Sequence, residues 1–186
     1  NERGESEVYP RLKRVHRLLG TQIDEDGMHL SRCAKQQVQI LVELITVKQA
    51  LHRLYEQYAN EFTETLENMH RALDAVSLGT GEPAYFNGTG QMPHDLVVAV
   101  QAQSPARARS TGITGGYGRL ISGRSIVVAD SGLVPPPDHA GNAHAGALSF
   151  EFSHGRDLVV CNCGPAPASL DGDNTLFRQG IAHSAP

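Results

Sequence analysis

The first half of the chain places its apolar residues at the spacing of amphipathic helices. Apolar residues recur at steps of three and four between positions 8 and 19, which predicts a helix that ends near Gly20. A wide apolar stripe along residues 35–58 predicts a second helix that is buried on most sides. The same spacing predicts a third helix along residues 60–77, and residues 94–103 are predicted to form a short fourth one.

Glycine and turn residues become frequent after residue 79, and the helical period is lost. The segments 79–90 and 104–116 are both rich in such residues, which predicts loops. We place the domain boundary in the second loop. Residues 1–103 are then a helical part, residues 104–116 a linker, and residues 117–186 a second part.

The second part contains two pairs of short segments in which apolar and polar residues alternate. The first pair is residues 117–121 and 125–130, and the second pair is residues 147–153 and 157–162. Each pair flanks a short turn that contains glycine, so each pair predicts an antiparallel β-hairpin.

The third predicted strand has two different faces. Leu148, Phe150 and Phe152 lie on one face, and Ser149 and Glu151 lie on the other. This alternation predicts a sheet that is covered on one side. The predicted fold class is α+β, with helices first and antiparallel strands after them.

Composition and charge narrow the classes of function. The chain is 40% hydrophobic and 19% charged, as is usual for a globular domain, and no run of 18 apolar residues predicts a membrane span. A formal net charge of −4 gives no broad positive field, so nucleic acid is not an expected partner. An acidic polysaccharide remains possible, because a local cluster of Arg and His can bind it.

The cysteines and the chain ends add two expectations. Cys33, Cys161 and Cys163 form no even disulfide framework, and Cys161 and Cys163 alternate onto one predicted strand face, where burial is the default. The chain begins without Met and ends just after a patterned segment, so we expect a fragment with sequence missing before Asn1 and after Pro186.

The segment from residue 138 to residue 164 contains the candidate chemistry. His139, Asn142 and His144 lie on a loop rich in glycine and alanine, where small neighbours leave imidazoles accessible to a metal or a substrate. Loop histidines are more often solvent-exposed bystanders, so this segment alone leaves both interpretations open.

Seven short motifs occur in order along the chain. They are residues 26–32 (DGMHLSR), 116–120 (GYGRL), 142–144 (NAH), 148–152 (LSFEF), the turn at Gly155, 162–164 (NCG) and 182–184 (AHS). In order and spacing they resemble the heparinase II/III-like polysaccharide lyases, a family in which an α/α toroid precedes a β-sandwich. The resemblance implies that the chain holds the C-terminal helices of a toroid followed by the opening antiparallel strands of a sandwich.

The resemblance also implies a reaction and a place. Family lyases cleave acidic glycans that contain uronate, such as heparin, heparan sulfate and alginate, by β-elimination. This carbon–oxygen lyase reaction needs the C6 carboxylate neutralised, the C5 proton removed and the O4 leaving group protonated. The implied partner is an acidic polysaccharide, and the implied location is the cell envelope or periplasm. The oligomeric state is left open.

The residues that would carry this chemistry follow from the motifs. The resemblance implies catalytic positions at Asn142 and His144, and a zinc site, present in some members, at His144, Asn162 and His183. The predicted substrate-binding residues are Tyr117, Arg119 and His139. Tyr117 begins a strand near the presumed cleft and could stack on a sugar ring, although packing within the sheet is the more frequent role of such a residue.

Three positions depart from the family pattern. Asn142 occupies the place of a catalytic histidine, and an amide is not a base near neutral pH. Asn162 occupies the place of an acidic metal ligand, and its amide is a weaker oxygen donor for zinc. The catalytic tyrosine of the family falls near Gln36. These departures keep a second hypothesis open: a non-catalytic glycan-binding or structural cell-envelope protein of the same fold.

Overall fold

The computed structural model describes residues 2–104, 111–167 and 175–185, with side chains from residue 7 onward. The helices are α1 (Glu2–Gly20), α2 (Ala34–Leu54), α3 (Thr63–Ala75), α4 (His94–Gln101) and α5 (Thr175–Arg178). The strands are β1 (Gly112–Thr114), β2 (Tyr117–Ser122), β3 (Ser125–Asp130), β4 (Phe150–His154) and β5 (Asp157–Val160). Within the described residues, every helix is too short or too polar to cross a bilayer.

The four predicted helices are present, and two of them differ from the prediction at one terminus. α2 stops at Leu54 because Tyr55 leaves the helical region, with φ −146° and ψ 81°, and a 3-10 turn (Glu56–Tyr58) follows. α3 begins after Phe62, whose φ of 64° is left-handed. A right-handed helix cannot continue through such a residue, so the third helix starts later than its apolar period indicates.

A polar side chain in the helical core joins α2 to its neighbours. Gln37 is fully buried among the apolar residues of α2 and α3. Its Nε2 donates to the carbonyl oxygens of Gly27 (2.7 Å) and Met69 (2.9 Å), and its Oε1 accepts from the backbone N–H of His29 (2.8 Å). Because every polar atom of the amide is bonded, Gln37 fixes the segment before α2 against α3.

The five strands form one antiparallel sheet in the order β1-β2-β3-β4-β5. The two predicted hairpins are β2–β3 and β4–β5, and β3 pairs with β4. β1 lies inside the segment predicted to be a linker and pairs with the start of β2. The predicted α+β class, with helices followed by antiparallel strands, is confirmed.

The covered face of β4 is its polar face. Ser149, Glu151 and Ser153 are buried toward the helical part, whereas Phe150 on the opposite face is 37% exposed and Leu120 is 63% exposed. Buried polar side chains need partners, and the glycine-rich loop after α3 supplies two of them. That loop donates from the N–H of Gly79 to Ser153 Oγ and from the N–H of Tyr85 to Glu151 Oε1, each at 2.9 Å. On β3 the same face carries Val128, which is part of the hydrophobic core, so the covered face combines polar contacts with apolar packing.

The expected burial of two cysteines is wrong. β5 ends at Val160, so Cys161 and Cys163 lie in the segment after the strand, and both are exposed. Cys33, in contrast, is buried just before α2.

Candidate functional site

One loop connects the helical part, the sheet and the C-terminal segment. We call residues 137–146 the histidine loop. At one end its His139 ring lies edge-to-face with His29, with ring centroids 5.4 Å apart. At the other end its His144 ring lies 5.2 Å from the ring of His183. The loop thus brings together two histidine pairs from three separate parts of the sequence.

A close approach to a second loop fixes the middle of the histidine loop. Asn142 is exposed and lies against Gly88, where an added Cβ would be 3.0 Å from Asn142 Cβ. Gly88 has a φ of +76°, which also favours glycine. The backbone N–H of His144 donates to Asn87 Oδ1 at 3.4 Å. The side chain of Asn87 therefore fixes the position of the His144 backbone relative to the buried residues below the histidine loop.

Below the histidine loop, a buried polar cluster lies between the helical part and the sheet. Arg32 Nη2 donates to Asp130 Oδ1 at 2.5 Å. Asn87 Nδ2 donates to the Tyr117 hydroxyl at 2.9 Å, and this hydroxyl donates to the carbonyl oxygen of Arg32 at 2.5 Å. All four side chains are buried, so the cluster is a rigid support for the histidine loop.

Tyr117 has a different role from the predicted one. The residue is only 1% exposed, and its ring stacks on Phe86 with centroids 5.2 Å apart, while the Arg32 guanidinium lies 4.5 Å from the ring centre. Burial raises the pKa of Tyr117. A ring enclosed in this way cannot stack on a sugar, so the packing role is correct and the stacking role is not.

Arg119 also faces the interior of the molecule. Its guanidinium donates to the carbonyl oxygens of Asp74 and, at 2.6 Å, Ser77, at the end of α3. Burial lowers the pKa of Arg119. The last carbonyl groups of a helix have no partner within the helix, and Arg119 supplies one. The predicted contact of Arg119 with substrate is therefore replaced by a contact between sheet and helix.

His29 is held as a neutral imidazole at the edge of a pocket. Its Nδ1 accepts from the backbone N–H of Ser31 at 3.1 Å, so Nε2 carries the proton of the neutral ring. Burial, with a smaller contribution from His139, lowers the pKa of His29 to about 4. The side chain lines a pocket of about 500 Å³ together with Gln36 and Glu43. The sequence places His29 in the motif of residues 26–32, which by itself assigns the side chain no role.

Gln36, the position where the family tyrosine is expected, lies in the same pocket as His29. Its Oε1 is buried and has no hydrogen-bond partner in the part of the chain that the structure describes. A buried acceptor without a partner is rare in proteins and is available to a ligand. The structure therefore places Gln36 in the pocket that His29 lines.

The second histidine pair also consists of neutral rings. Burial, followed by the proximity of His183 and Arg178, lowers the pKa of His144 to about 4, and burial lowers the pKa of His183. His144 Nδ1 and both ring nitrogens of His183 are buried without a hydrogen-bond partner among the described residues. In each neutral ring one nitrogen carries a proton and can donate it, and the other can accept a proton, a hydrogen bond or a metal ion.

Of the three predicted zinc ligands, only the two histidines are arranged as a zinc ion needs. Two imidazoles on one tetrahedral zinc have ring centroids about 5 Å apart, close to the 5.2 Å between His144 and His183. The third predicted ligand, Asn162, uses its Oδ1 to accept from Ser184, at 3.0 Å from N and 3.2 Å from Oγ. Across the described ranges, no group of three His, Cys, Asp or Glu side chains converges to hold a metal. The described residues therefore do not fit a zinc ion.

Glu151 was missed by sequence analysis and lies at the centre of the neighbouring contacts. Its carboxylate is 1% exposed, and Oε1 accepts from the backbone N–H groups of Tyr85 and Asn162, each at 2.9 Å. Burial raises the pKa of Glu151, and these hydrogen bonds partly offset the effect. The only signal in the sequence is an acidic residue on the strand face opposite Phe150, which a solvated face would show equally.

Comparisons with known proteins agree with the fold. Residues 104–185 match the family described as Heparinase II/III-like, C-terminal. A curated relative, FtsZ-localized protein C of Caulobacter vibrioides, is 27% identical over 166 residues, which are 88% of this chain and 29% of that protein.

Two solved structures share the fold at 15% sequence identity. Heparan sulfate lyase HepC from Pedobacter heparinus superposes with a TM-score of 0.72 over 93% of this chain and 32% of that one. Heparinase III superposes with a TM-score of 0.63 over 89% of this chain and 32% of that one. The chain thus spans about a third of the length of the relatives it matches.

Proposed function

We propose that the histidine loop forms one wall of a cleft that binds a uronate-containing acidic polysaccharide and cleaves it by β-elimination, because residues 104–185 match the family described as Heparinase II/III-like, C-terminal. One observation carries this proposal. The loop contributes one imidazole to each of two pairs, His29 with His139 and His144 with His183. Packing alone does not require this arrangement, which leaves nitrogen atoms without partners.

The chemistry of each side chain suggests its part in the reaction. A neutral imidazole such as His144 is the base that removes the C5 proton. The exposed amide of Asn142 donates hydrogen bonds to the C6 carboxylate, which stabilises the charge that develops there. His29, whose Nε2 carries a proton, is the donor for the O4 leaving group. The proposed location is the cell envelope or periplasm, on the family resemblance.

The second hypothesis is binding of the glycan without cleavage. It is favoured by Gln36 and Asn142, since both are amides where the family pattern has a tyrosine and a histidine, and amides do not transfer protons near neutral pH. The relative from Caulobacter is named for its localisation with FtsZ and not for an activity.

The two hypotheses are separated by one assay on the full-length protein. Heparan sulfate, heparin and alginate are incubated with the protein while ultraviolet absorbance follows the unsaturated uronate product. We expect absorbance to rise, and His144→Ala to slow the rise by about 100-fold or more, the usual contribution of a general base. His52→Ala, on the exposed face of α2, is the matched control and should leave the rate unchanged.

Retention on a glycan affinity column is measured in parallel. Retention without an absorbance change on any substrate would reject cleavage and support the binding hypothesis. Neither retention nor absorbance change would reject both.

A further inference from the structure

We infer that the hydrogen bonds of Asn162 with Glu151 and Ser184, in place of a metal ion, position His183 beside His144. In this chain the histidine pair is held by hydrogen bonds, and zinc is excluded by the amide at position 162. This inference rests on the contacts of Asn162 and is independent of the proposed function.

Every polar atom of the Asn162 side chain is occupied. Its Oδ1 accepts from the backbone N–H of Ser184 at 3.0 Å and lies 3.2 Å from Ser184 Oγ, and its Nδ2 donates to Glu151 Oε1 at 3.2 Å. A hydroxyl has one proton, and that of Ser184 is directed to a backbone carbonyl oxygen, so the backbone N–H is the donor that holds Oδ1. The residue is buried, so a metal ion at Oδ1 would have to displace these contacts.

The neighbours of Asn162 leave only one orientation for the amide. Ser184 N–H is a donor and requires the oxygen, whereas the Glu151 carboxylate is an acceptor and requires the nitrogen. A carboxylate at position 162 would place an oxygen about where Nδ2 lies, 3.2 Å from Glu151 Oε1. Two carboxylates at that distance cannot both be ionised in a buried site. The buried Glu151 carboxylate therefore favours an amide over a carboxylate at position 162.

These hydrogen bonds hold the segment that contains His183. Ser184 Oγ donates to the carbonyl oxygen of Phe150, and the backbone N–H of Cys163 donates to the carbonyl oxygen of Ala182 at 3.2 Å. Residues 182–184 are therefore fastened to the start of β4 and to the segment after β5. His183 lies between these two anchors and is oriented by them toward His144.

The structure retains the imidazole half of a metal site. With His144 and His183 5.2 Å apart, one acidic oxygen would complete a set of three protein ligands. Asn162→Asp alone would create a buried pair of acids with Glu151. Combining Asn162→Asp with Glu151→Gln supplies the acid and keeps a hydrogen-bonding neighbour beside it. The double variant is therefore expected to bind one equivalent of zinc.

The first test uses the full-length protein after removal of bound metal. Zinc chloride is added, and zinc content and the thermal midpoint Tm are measured for the wild type and the double variant. We expect zinc to leave the wild-type Tm unchanged and to raise the Tm of the double variant, because a ligand bound only by the folded state stabilises it. Stoichiometric zinc in the wild type, lost in His144→Ala and His183→Ala, would overturn the inference. A folded double variant that takes up no zinc would also overturn it.

The second test does not depend on the double variant. Amide hydrogen exchange at residues 182–184 is compared between the wild type and Asn162→Ala, with the exposed neighbour Cys163→Ser as the control. We expect exchange to become about 10-fold faster or more in Asn162→Ala, which corresponds to the loss of one or two hydrogen bonds, and to remain unchanged in the control. Unchanged exchange in Asn162→Ala would show that Asn162 does not hold residues 182–184 in place.

Discussion

The histidines of this chain differ because their surroundings differ. His29 is buried and accepts a hydrogen bond from Ser31, so its ring is neutral far below the usual titration range. His144 is neutral for a similar reason, but it has a ring nitrogen without a partner among the described residues. A buried neutral imidazole with an open lone pair is a base, whereas one whose Nδ1 is already an acceptor can only donate from its other nitrogen.

The burial of His29 makes the stability of the protein depend on pH. Its pKa is about 4 in the folded protein against 6.5 in an unfolded chain. Between these values the unfolded chain binds a proton at His29 and the folded protein does not. Stability from His29 is therefore fully present above pH 6.5 and is lost as the pH falls toward 4.

Replacing His29 by Asn should lower the slope of unfolding free energy against pH in this window by about one proton. Chemical denaturation at a series of pH values measures the slope. His52→Asn, on the exposed face of α2, is the control. An unchanged slope in His29→Asn would mean that the ring titrates normally.

At the scale of elements, a few backbone positions decide how closely the helices and loops approach. Gly27 ends the polar turn after α1, with a φ of +87°. A Cβ there would lie 2.3 Å from the carbonyl carbon of Asn68, which is backbone of α3 and cannot move aside. This contact brings the segment that carries His29 against α3, where Gln37 holds it.

Gly27→Ala is expected to lower the unfolding free energy by about 2–4 kcal/mol, since it combines steric overlap with a left-handed backbone. Gly20→Ala is the matched control, because a Cβ at Gly20 meets nothing within 4 Å. That control should be neutral or stabilising by up to about 1 kcal/mol. Denaturant titration of both variants checks the difference, and equal effects would contradict the proposed contact.

At the scale of the whole molecule, one buried ion pair joins the helical part to the sheet. Arg32 and Asp130 are 98 residues apart in sequence and 2.5 Å apart in space. The Arg32 guanidinium also donates to the carbonyl oxygens of Leu133 (3.0 Å) and Gly116 (2.9 Å). A Cβ at Gly132 would lie 2.5 Å from the centre of the guanidinium, so the glycine leaves the space that the side chain fills.

Removing either partner leaves the other charge buried. Arg32→Met and Asp130→Asn should each lower the unfolding free energy by about 3–5 kcal/mol, and the double variant by less than the sum of both. The exposed pair Arg11–Glu7, at 3.2 Å, is the control, and its removal should change stability by less than about 1 kcal/mol. Additive effects of Arg32 and Asp130 in denaturant titrations would contradict direct coupling.

The elements were largely predictable because their signals are local. The helical and strand periods predicted four helices and both hairpins, since each period depends on neighbours within a few residues. β1 was missed because its three residues, Gly112–Thr114, lie in a glycine-rich segment and form a strand only by pairing with β2. The end of α2 was also missed, because the apolar stripe continues beyond Leu54 where the backbone does not.

The candidate site was predictable in part. The motif order brought His144 and His183 into one hypothesis, and the structure places their rings 5.2 Å apart. Tyr117 and Arg119 were assigned to substrate because a strand residue in sequence shows no sign of which side of the sheet is covered. Glu151 was missed for the same reason, since its partners Tyr85 and Asn162 lie 66 and 11 residues away.

The sequence by itself determined the α+β class, most of the elements, the family resemblance and the loop that carries the histidines. Only the tertiary structure decided which face of the sheet is buried, that Tyr117 packs beneath the histidine loop while Arg119 contacts the end of α3, and that Asn162 is hydrogen-bonded to Glu151 and Ser184. The division has a physical cause: periods and motifs are properties of neighbouring residues, whereas burial and hydrogen-bond partners depend on segments that meet only after folding. The resemblance implied zinc from residue types, and the contacts of Asn162 argue against it.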